Sequence, residues 1–261
     1  MSFLTANSER LRTIARHARE LAFPSGPPGI LISHHKSASV WTWEVLKSGC
    51  RRNGIPVRRI PTHRRRGRLF QRACRVVMVI DSFDNMPMDH YQRTRLVHMT
   101  RDPRGILASM LQSHRSTHPI DRREFDPWGE IARNREALQR LDDDDGYRWL
   151  FQHATYLPRI IRQMVLIERD ADPWDRIDHR DIADDPRDAI KRIVTPFGVP
   201  EADVDDLTAQ FDFAKRRSDK GHYRRGDPDS WREELPEDVI RSFDERWGQD
   251  LETLGYPRSA G

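Results

Sequence analysis

The sequence predicts an α/β fold: a single domain in which a mostly parallel central sheet is flanked by helices on both faces. Three observations carry that prediction. Short apolar runs such as Ile30-Leu31-Ile32 and Val76-Val77-Met78-Val79-Ile80 read as buried strands. Segments with apolar residues at helical spacing separate them, as expected where crossover helices join parallel strands. Residues that bind or move charge follow the strand ends, where open parallel sheets collect ligands. The chain has 261 residues, enough to bury a full core, and no internal repeat or long linker divides it, so one domain over 1–261 is expected.

The elements follow in order. Residues 8–22 read as an amphipathic helix, with Ser8 as cap, Leu11, Ile14, Ala15, Ala18, Leu21 and Ala22 on one face, and Arg10, Arg12, Arg16 and Arg19 on the other. Its apolar face is built of small residues without an aromatic anchor. That favours an N-terminal segment, 1–25, packed on the domain over one lying on a membrane surface. Strands are predicted at 29–33, 56–60, 74–80, 95–100 and 176–179. A helix containing Val40, Trp41, Val45 and Leu46 follows the first strand, and further helices are predicted at 103–112, 128–141, 147–168, 186–197 and 236–254. The acidic run 142–145 reads as a helix N-terminal charge cluster or a solvated turn, not a metal site. Residues 221–230, rich in Gly, Pro and charge, read as a loop.

Composition narrows the functional classes. Charged residues make up 33% of the chain, above the roughly 25% of typical globular domains, yet the apolar strands exclude wholesale disorder. Two cysteines, Cys50 and Cys74, provide no disulfide framework. No apolar run is long enough for a signal peptide or a membrane span, so a cytoplasmic protein with no transmembrane segment is expected. The net charge of +4 is a modest sign of anionic ligands and does not point to nucleic acid.

The chemistry concentrates where the first strand runs through Ser33-His34-His35 into Lys36-Ser37-Ala38-Ser39 and then a helix. The first N–H groups of a helix have no internal partner and its dipole is positive there, so phosphate or sulfate oxygens fit that end. Lys36 adds a point charge; Ser37 and Ser39 add hydroxyl donors. No glycine lies between Gly29 and Lys36, so the GxxxxGK[ST] spacing of an ATP or GTP loop is missing. Only five of the 45 basic residues are Lys, which sets Lys36 apart. A Lys can follow a moving oxygen, whereas Arg suits a static phosphate.

Lys36-Ser37-Ala38-Ser39-Val40-Trp41 resembles the K-S-G-T-T-W loop of the sulfotransferases that use 3′-phosphoadenosine 5′-phosphosulfate (PAPS). Arg101-Asp102-Pro103-Arg104-Gly105-Ile106-Leu107-Ala108-Ser109 is similar to that family's 3′-phosphate site, with Arg101 and Ser109 at the matching positions. Residues 222–231 resemble its RKGxxGDW loop, with Arg224, Arg225 and Gly226 on the phosphate-binding triplet. Residues 178–186 resemble YEDLxxDP, and Phe197-Gly198-Val199-Pro200 resembles FLGLP. Ala38, Val40, Arg225 and Asp229 depart from these patterns. The resemblance spans about 29–256 and implies a P-loop-NTPase-like sulfotransferase fold, PAPS as co-substrate, no metal, and a covering loop at 217–232. It implies that Lys36, Ser37, Ala38, Ser39, Val40, Trp41, Arg101, Ser109, Arg224, Arg225 and Gly226 bind the nucleotide. Trp41 takes either the adenine-packing position or that of a buried helix residue.

The implied reaction moves a sulfuryl group from PAPS to an acceptor hydroxyl or amine, leaving 3′-phosphoadenosine 5′-phosphate (PAP). Lys36 would stabilise charge on the leaving phosphate. The acceptor also needs a base. Asp81, directly after the third strand, is preferred, with His35 and His63 behind it; His98, within a strand, reads as a core histidine. Arg58, Arg59, His63, Arg64, Arg65, Arg66 and Arg68 crowd the exit of the second strand, either as a solvated basic loop or as the entry for an acidic acceptor: a small molecule, glycan, lipid or peptide. A silent nucleotide-binding protein and a P-loop kinase-like phosphotransferase remain the alternatives.

Overall fold

Aliphatic runs of four or five residues are short for helices and suit strands covered on both faces, and the chain builds its centre from them. The computed structural model describes residues 29–60, 76–80, 95–121, 126, 129–170, 175–212 and 227–259. The expected helix at 8–22, the candidate residues His63, Asp81, Arg224, Arg225 and Gly226, and the basic residues 64–68 lie outside the described residues. Strands β1 (Gly29–Ser33), β2 (Val57–Ile60), β3 (Val76–Ile80), β4 (Arg95–Thr100) and β5 (Asp175–Asp178) form one sheet in the order β2-β3-β1-β4-β5. Every pairing is parallel, and Gly29 stands opposite Val76 on one side and Arg95 on the other.

Helix α1 (Ser39–Arg52) follows β1. Helix α2 (Pro103–Gln112) follows β4 and runs into a π-helical turn, Ser113–Thr117. Then come α3 (Glu130–Leu138), α4 (Asp143–His153) and α5 (Tyr156–Asp170) before β5, and α6 (His179–Asp184), α7 (Pro186–Val194), α8 (Val204–Gln210), α9 (Trp231–Glu234) and α10 (Glu237–Thr253) after it. The period of two along the strands sorts the core. Leu31, Met78, Val97, Met99 and Ile177 join Val45, Leu46, Ile190, Ile193 and Leu207 in one cluster with α1, α7 and α8. A second cluster unites α2, α4, α5 and α10 through residues such as Leu107, Leu150, Ile160 and Phe243. Burying each such side chain contributes about 1.5–3 kcal/mol.

The strand order fixes where ligands gather. From β1 the chain departs toward β2 and β3, and from β4 it departs toward β5 on the other side. The crevice beyond the carboxyl ends of β1 and β4 is therefore the topological switch point of the sheet. Lys36 and Arg101 both follow those two ends.

Several boundaries differ from expectation, each for a physical reason. The helix expected at 147–168 is two helices, broken at Ala154 (φ −73°, ψ 112°). Pro158 has no N–H to give the Ala154 carbonyl and is tolerated only in a first helical turn. The buried Glu130 carboxylate then serves the new N-terminus, accepting from Tyr156 N at 3.0 Å and from the Thr155 hydroxyl. The last strand stops at Asp178 instead of His179, because the Asp178 carboxylate caps α6 by accepting from Arg180 N at 2.8 Å. The acidic run proves to be a helix start: Asp142 caps α4 by accepting from Asp145 N at 2.8 Å.

Gly29 lies against Phe197, so an added β-carbon would stand 2.2 Å from the ring's Cδ1. Gly29→Ala should lower stability by about 1–3 kcal/mol through overpacking, read as a lower urea midpoint with unchanged slope.

Candidate functional site

After β1 the backbone turns sharply. Lys36 and Ala38 both take left-handed conformations, with φ 66° and 56°. Ser37 N donates to His34 O at 3.1 Å, and Ser33 Oγ donates to Ser37 O at 3.3 Å. Left-handed residues alternating with ordinary ones turn successive N–H groups toward a common concavity, the form of an anion nest. The first turn of α1 holds no acidic residue, and no described side chain caps it. Ser37 is buried, and its hydroxyl has no hydrogen-bond partner among the described residues. A buried donor beside an uncapped helix start is costly unless a ligand satisfies it.

Around that nest the candidate residues divide. Lys36, Ala38 and Ser39 are half-buried and Val40 is exposed. Trp41 is buried in the core cluster, and its indole N–H donates to Phe211 O at 2.9 Å, which is the environment of a buried helix residue.

Arg101 comes to the same place from β4. Its Nη1 donates to Lys36 O at 2.9 Å, tying the two strand exits together. Its Nε has no hydrogen-bond partner among the described residues. Burial lowers the guanidinium's pKa from its ordinary value, while Asp102, Asp178, Glu234 and Tyr256 push it back up. Gly105 makes room for this arrangement, since a β-carbon there would sit 3.1 Å from Arg101 Nε. Downstream, α2 is buried at every position from Pro103 to Leu111 except Ser109, two turns from Arg101.

The end of the third motif packs close by. Asp229 pairs with Arg180 of α6 at 2.7 Å and with Arg232 at 3.6 Å, and the Arg180 hydrogen bond holds its carboxyl below the usual range. Trp231 is buried, and the guanidiniums of Arg104 and Arg232 lie over its ring, 4.1 and 4.4 Å from the ring centre. Asp229, where the resemblance implies Gly, thus anchors the segment that follows Arg224, Arg225 and Gly226.

Beside Lys36 stands a group of histidines. His35 Nε2 lies 3.0 Å from His114 Nε2, and the Asn134 amide is 3.0 Å from His114 Nδ1. His35 also stacks on Tyr156 at 5.5 Å and meets the His118 ring at 5.2 Å. Burial first, then His114 and Lys36, hold His35 well below its ordinary pKa; burial and Lys36 do the same to His114. The spacing of His114 and His118, one helical turn apart, is the one sequence feature that could have marked them. His98 is a core residue as expected, bonded to Glu168 at 2.5 Å and to His34 at 2.9 Å, and buried completely.

The sequence matches the sulfotransferase domain family over residues 30–255. The chain belongs to that family. No curated protein matches it. Among solved structures, the sulfotransferase fold recurs in retinol dehydratase complexed with androsterone and the inactive cofactor PAP, 12% identical, with TM-score 0.52, over 88% of this chain and 82% of that one. Mouse sulfotransferase SULT7A1 complexed with PAP is similar at 15% identity and TM-score 0.52, over 86% of this chain and 84% of that one. A complex of retinol dehydratase with retinol and PAP gives 12% identity and TM-score 0.52, over 88% and 82%. Among the described residues of this sulfotransferase-family chain, no helix is long and apolar enough to cross a membrane.

The family pattern K-S-G-T-T-W puts Gly where Ala38 stands, and the left-handed φ of 56° there accounts for that preference. Ala38→Gly should raise stability by about 0.5–1 kcal/mol, net of glycine's chain entropy, and should raise the urea midpoint; a fall would contradict the strained turn.

Proposed function

We propose that the chain transfers the sulfuryl group of PAPS to a hydroxyl or amine of an acceptor, leaving PAP, and that it works in the cytoplasm. The observation that carries this reading is the Arg101 bond to the Lys36 carbonyl, which sets a 3′-phosphate candidate beside a 5′-phosphate candidate at the switch point of the sheet. PAPS supplies the sulfuryl group and the leaving phosphate. The Ser37 hydroxyl and Arg101 Nε, which have no hydrogen-bond partner among the described residues, fit such a doubly anionic ligand.

In this reading the Ser37 hydroxyl and the N–H groups of Ala38, Ser39 and Val40 receive the 5′-phosphate, and the Lys36 ammonium neutralises charge that grows there as the S–O bond breaks. Sulfuryl transfer, like phosphoryl transfer, needs alignment and charge stabilisation more than covalent help from protein. Arg101 and Ser109, with Arg224, Arg225 and Gly226, hold the 3′-phosphate, and Trp41 backs the nest from inside the core. Asp81, His63 and His35 are the candidate bases from the sequence. The acceptor enters past the basic segment after β2, which suits an acidic small molecule, glycan, lipid or peptide.

Incubation with radiolabelled PAPS and pooled acceptors tests the reaction; labelled product is expected, and PAP binding without product would leave a silent nucleotide-binding protein. Lys36→Ala should lower kcat by about 10²–10³-fold while PAP affinity changes far less, because the ammonium acts mainly on charge that develops during transfer. Unaltered turnover in that variant removes the role given to Lys36.

A further inference from the structure

We propose that His118, at the end of the π-helical turn after α2, is the base that takes the proton of the acceptor hydroxyl, a role that rests on the sulfuryl-transfer reading. The tautomer is the first argument. His118 Nδ1 lies 2.9 Å from the carbonyl oxygen of Pro119, an atom that can only accept, so Nδ1 carries the proton and the lone pair is on Nε2. A general base needs that lone pair and a fixed ring, and a backbone carbonyl on the other nitrogen provides both.

Anchorage is the second argument. His118 N donates to Ser113 O at 2.8 Å, closing the π turn, a form frequent at functional sites. Arg135 of α3 grips both ends of the turn, with Nη2 on His118 O at 2.5 Å and Nε on His114 O at 3.1 Å.

Location is the third. The His118 ring is half-buried and stands 5.2 Å from His35, the chain neighbour of Lys36, and 6.2 Å from His114. His35 and His114 spend their facing nitrogens on each other, and Asn134 and Tyr156 hold them, so they form the wall against which His118 rests.

The described charged and titratable groups facing His118 include His35 and Lys36 from the loop after β1, His114 from its own turn, Asp126 before α3, and Arg135. Burial lowers its pKa from the ordinary histidine value; the Pro119 carbonyl and Asp126 push it up, and Lys36 and Arg135 push it down. The net direction is downward, so the imidazole is neutral and able to accept a proton at neutral pH.

The step balances. The acceptor O–H bond breaks and its proton goes to His118 Nε2. The acceptor oxygen forms a bond to sulfur, the S–O bond to the 5′-phosphate breaks, and PAP leaves with that electron pair. The imidazolium afterwards returns its proton to solvent.

Two acceptors separate proton removal from mere support: benzyl alcohol, which must lose a proton in the step, and 4-nitrophenol at mildly alkaline pH, which is already ionised. His118→Gln should lower transfer from PAPS to benzyl alcohol by about 10²–10⁴-fold and leave transfer to 4-nitrophenolate within about threefold, with PAP affinity unchanged. Added imidazole should restore part of the lost rate to His118→Ala. For the unaltered chain, the rate with benzyl alcohol should fall on acidification only below the ordinary histidine range, and that acid limb should vanish in His118→Gln.

Equal losses with both acceptors, no loss with benzyl alcohol, or a limb at or above the ordinary histidine value each overturn the assignment. If the unaltered chain binds PAP and transfers to neither acceptor, the base and the transfer reading fall together. If transfer proceeds and His118→Gln leaves it intact, the base alone falls.

Discussion

One hydrogen bond organises this molecule, the 2.9 Å contact from Arg101 Nη1 to the Lys36 carbonyl. It joins the exits of β1 and β4, neighbours in the sheet whose chains leave in opposite directions. A backbone carbonyl held by a cation cannot swing into the nest, so the N–H side of the loop is left facing the concavity. The left-handed turns at Lys36 and Ala38 are the local cost, at about 1–2 kcal/mol for a residue other than glycine. Strain at such a place is typical of binding turns, and the core around Leu31, Trp41 and Val45 over-determines the conformation.

Positive charge is rationed around this point. Lys36 and Arg101 are close, and the Arg101 guanidinium is balanced by Asp102, Asp178 and Glu234. The histidines that share the space are held neutral by burial and by Lys36 itself. Neutral rings lend hydrogen bonds and shape without adding further positive charge beside Lys36. On the far side, Glu168 orders His98, and His98 orders His34, which carries the arrangement from α5 through β4 to the end of β1.

Much of this was legible in the residues, and the exceptions have a common cause. β1, β4 and α2 fall where their local patterns place them, because aliphatic runs and a Pro start are decided within the segment. The strand, turn and helix start around Lys36 were legible for the same reason, as they are consecutive. What was hidden depends on contacts distant in sequence. The break at Ala154 is completed by Glu130 of another helix, and the burial of Trp41 by the carbonyl of Phe211. His118 is hidden most deeply, since its tautomer, its clamp by Arg135 and its nearness to His35 exist only after folding. Asp229 was legible only as a departure from Gly; the reason, its bond to Arg180, is tertiary.

The proposed activity requires two sets of donors to share one nucleotide with phosphates at both ends. Calorimetry with PAP, adenosine 5′-phosphate and ATP tests that most directly. A 3′-phosphate held by charged donors should make PAP bind at least about tenfold more tightly than adenosine 5′-phosphate, and ATP should not match it. Equal affinity for PAP and adenosine 5′-phosphate, or a preference for ATP, would contradict the account.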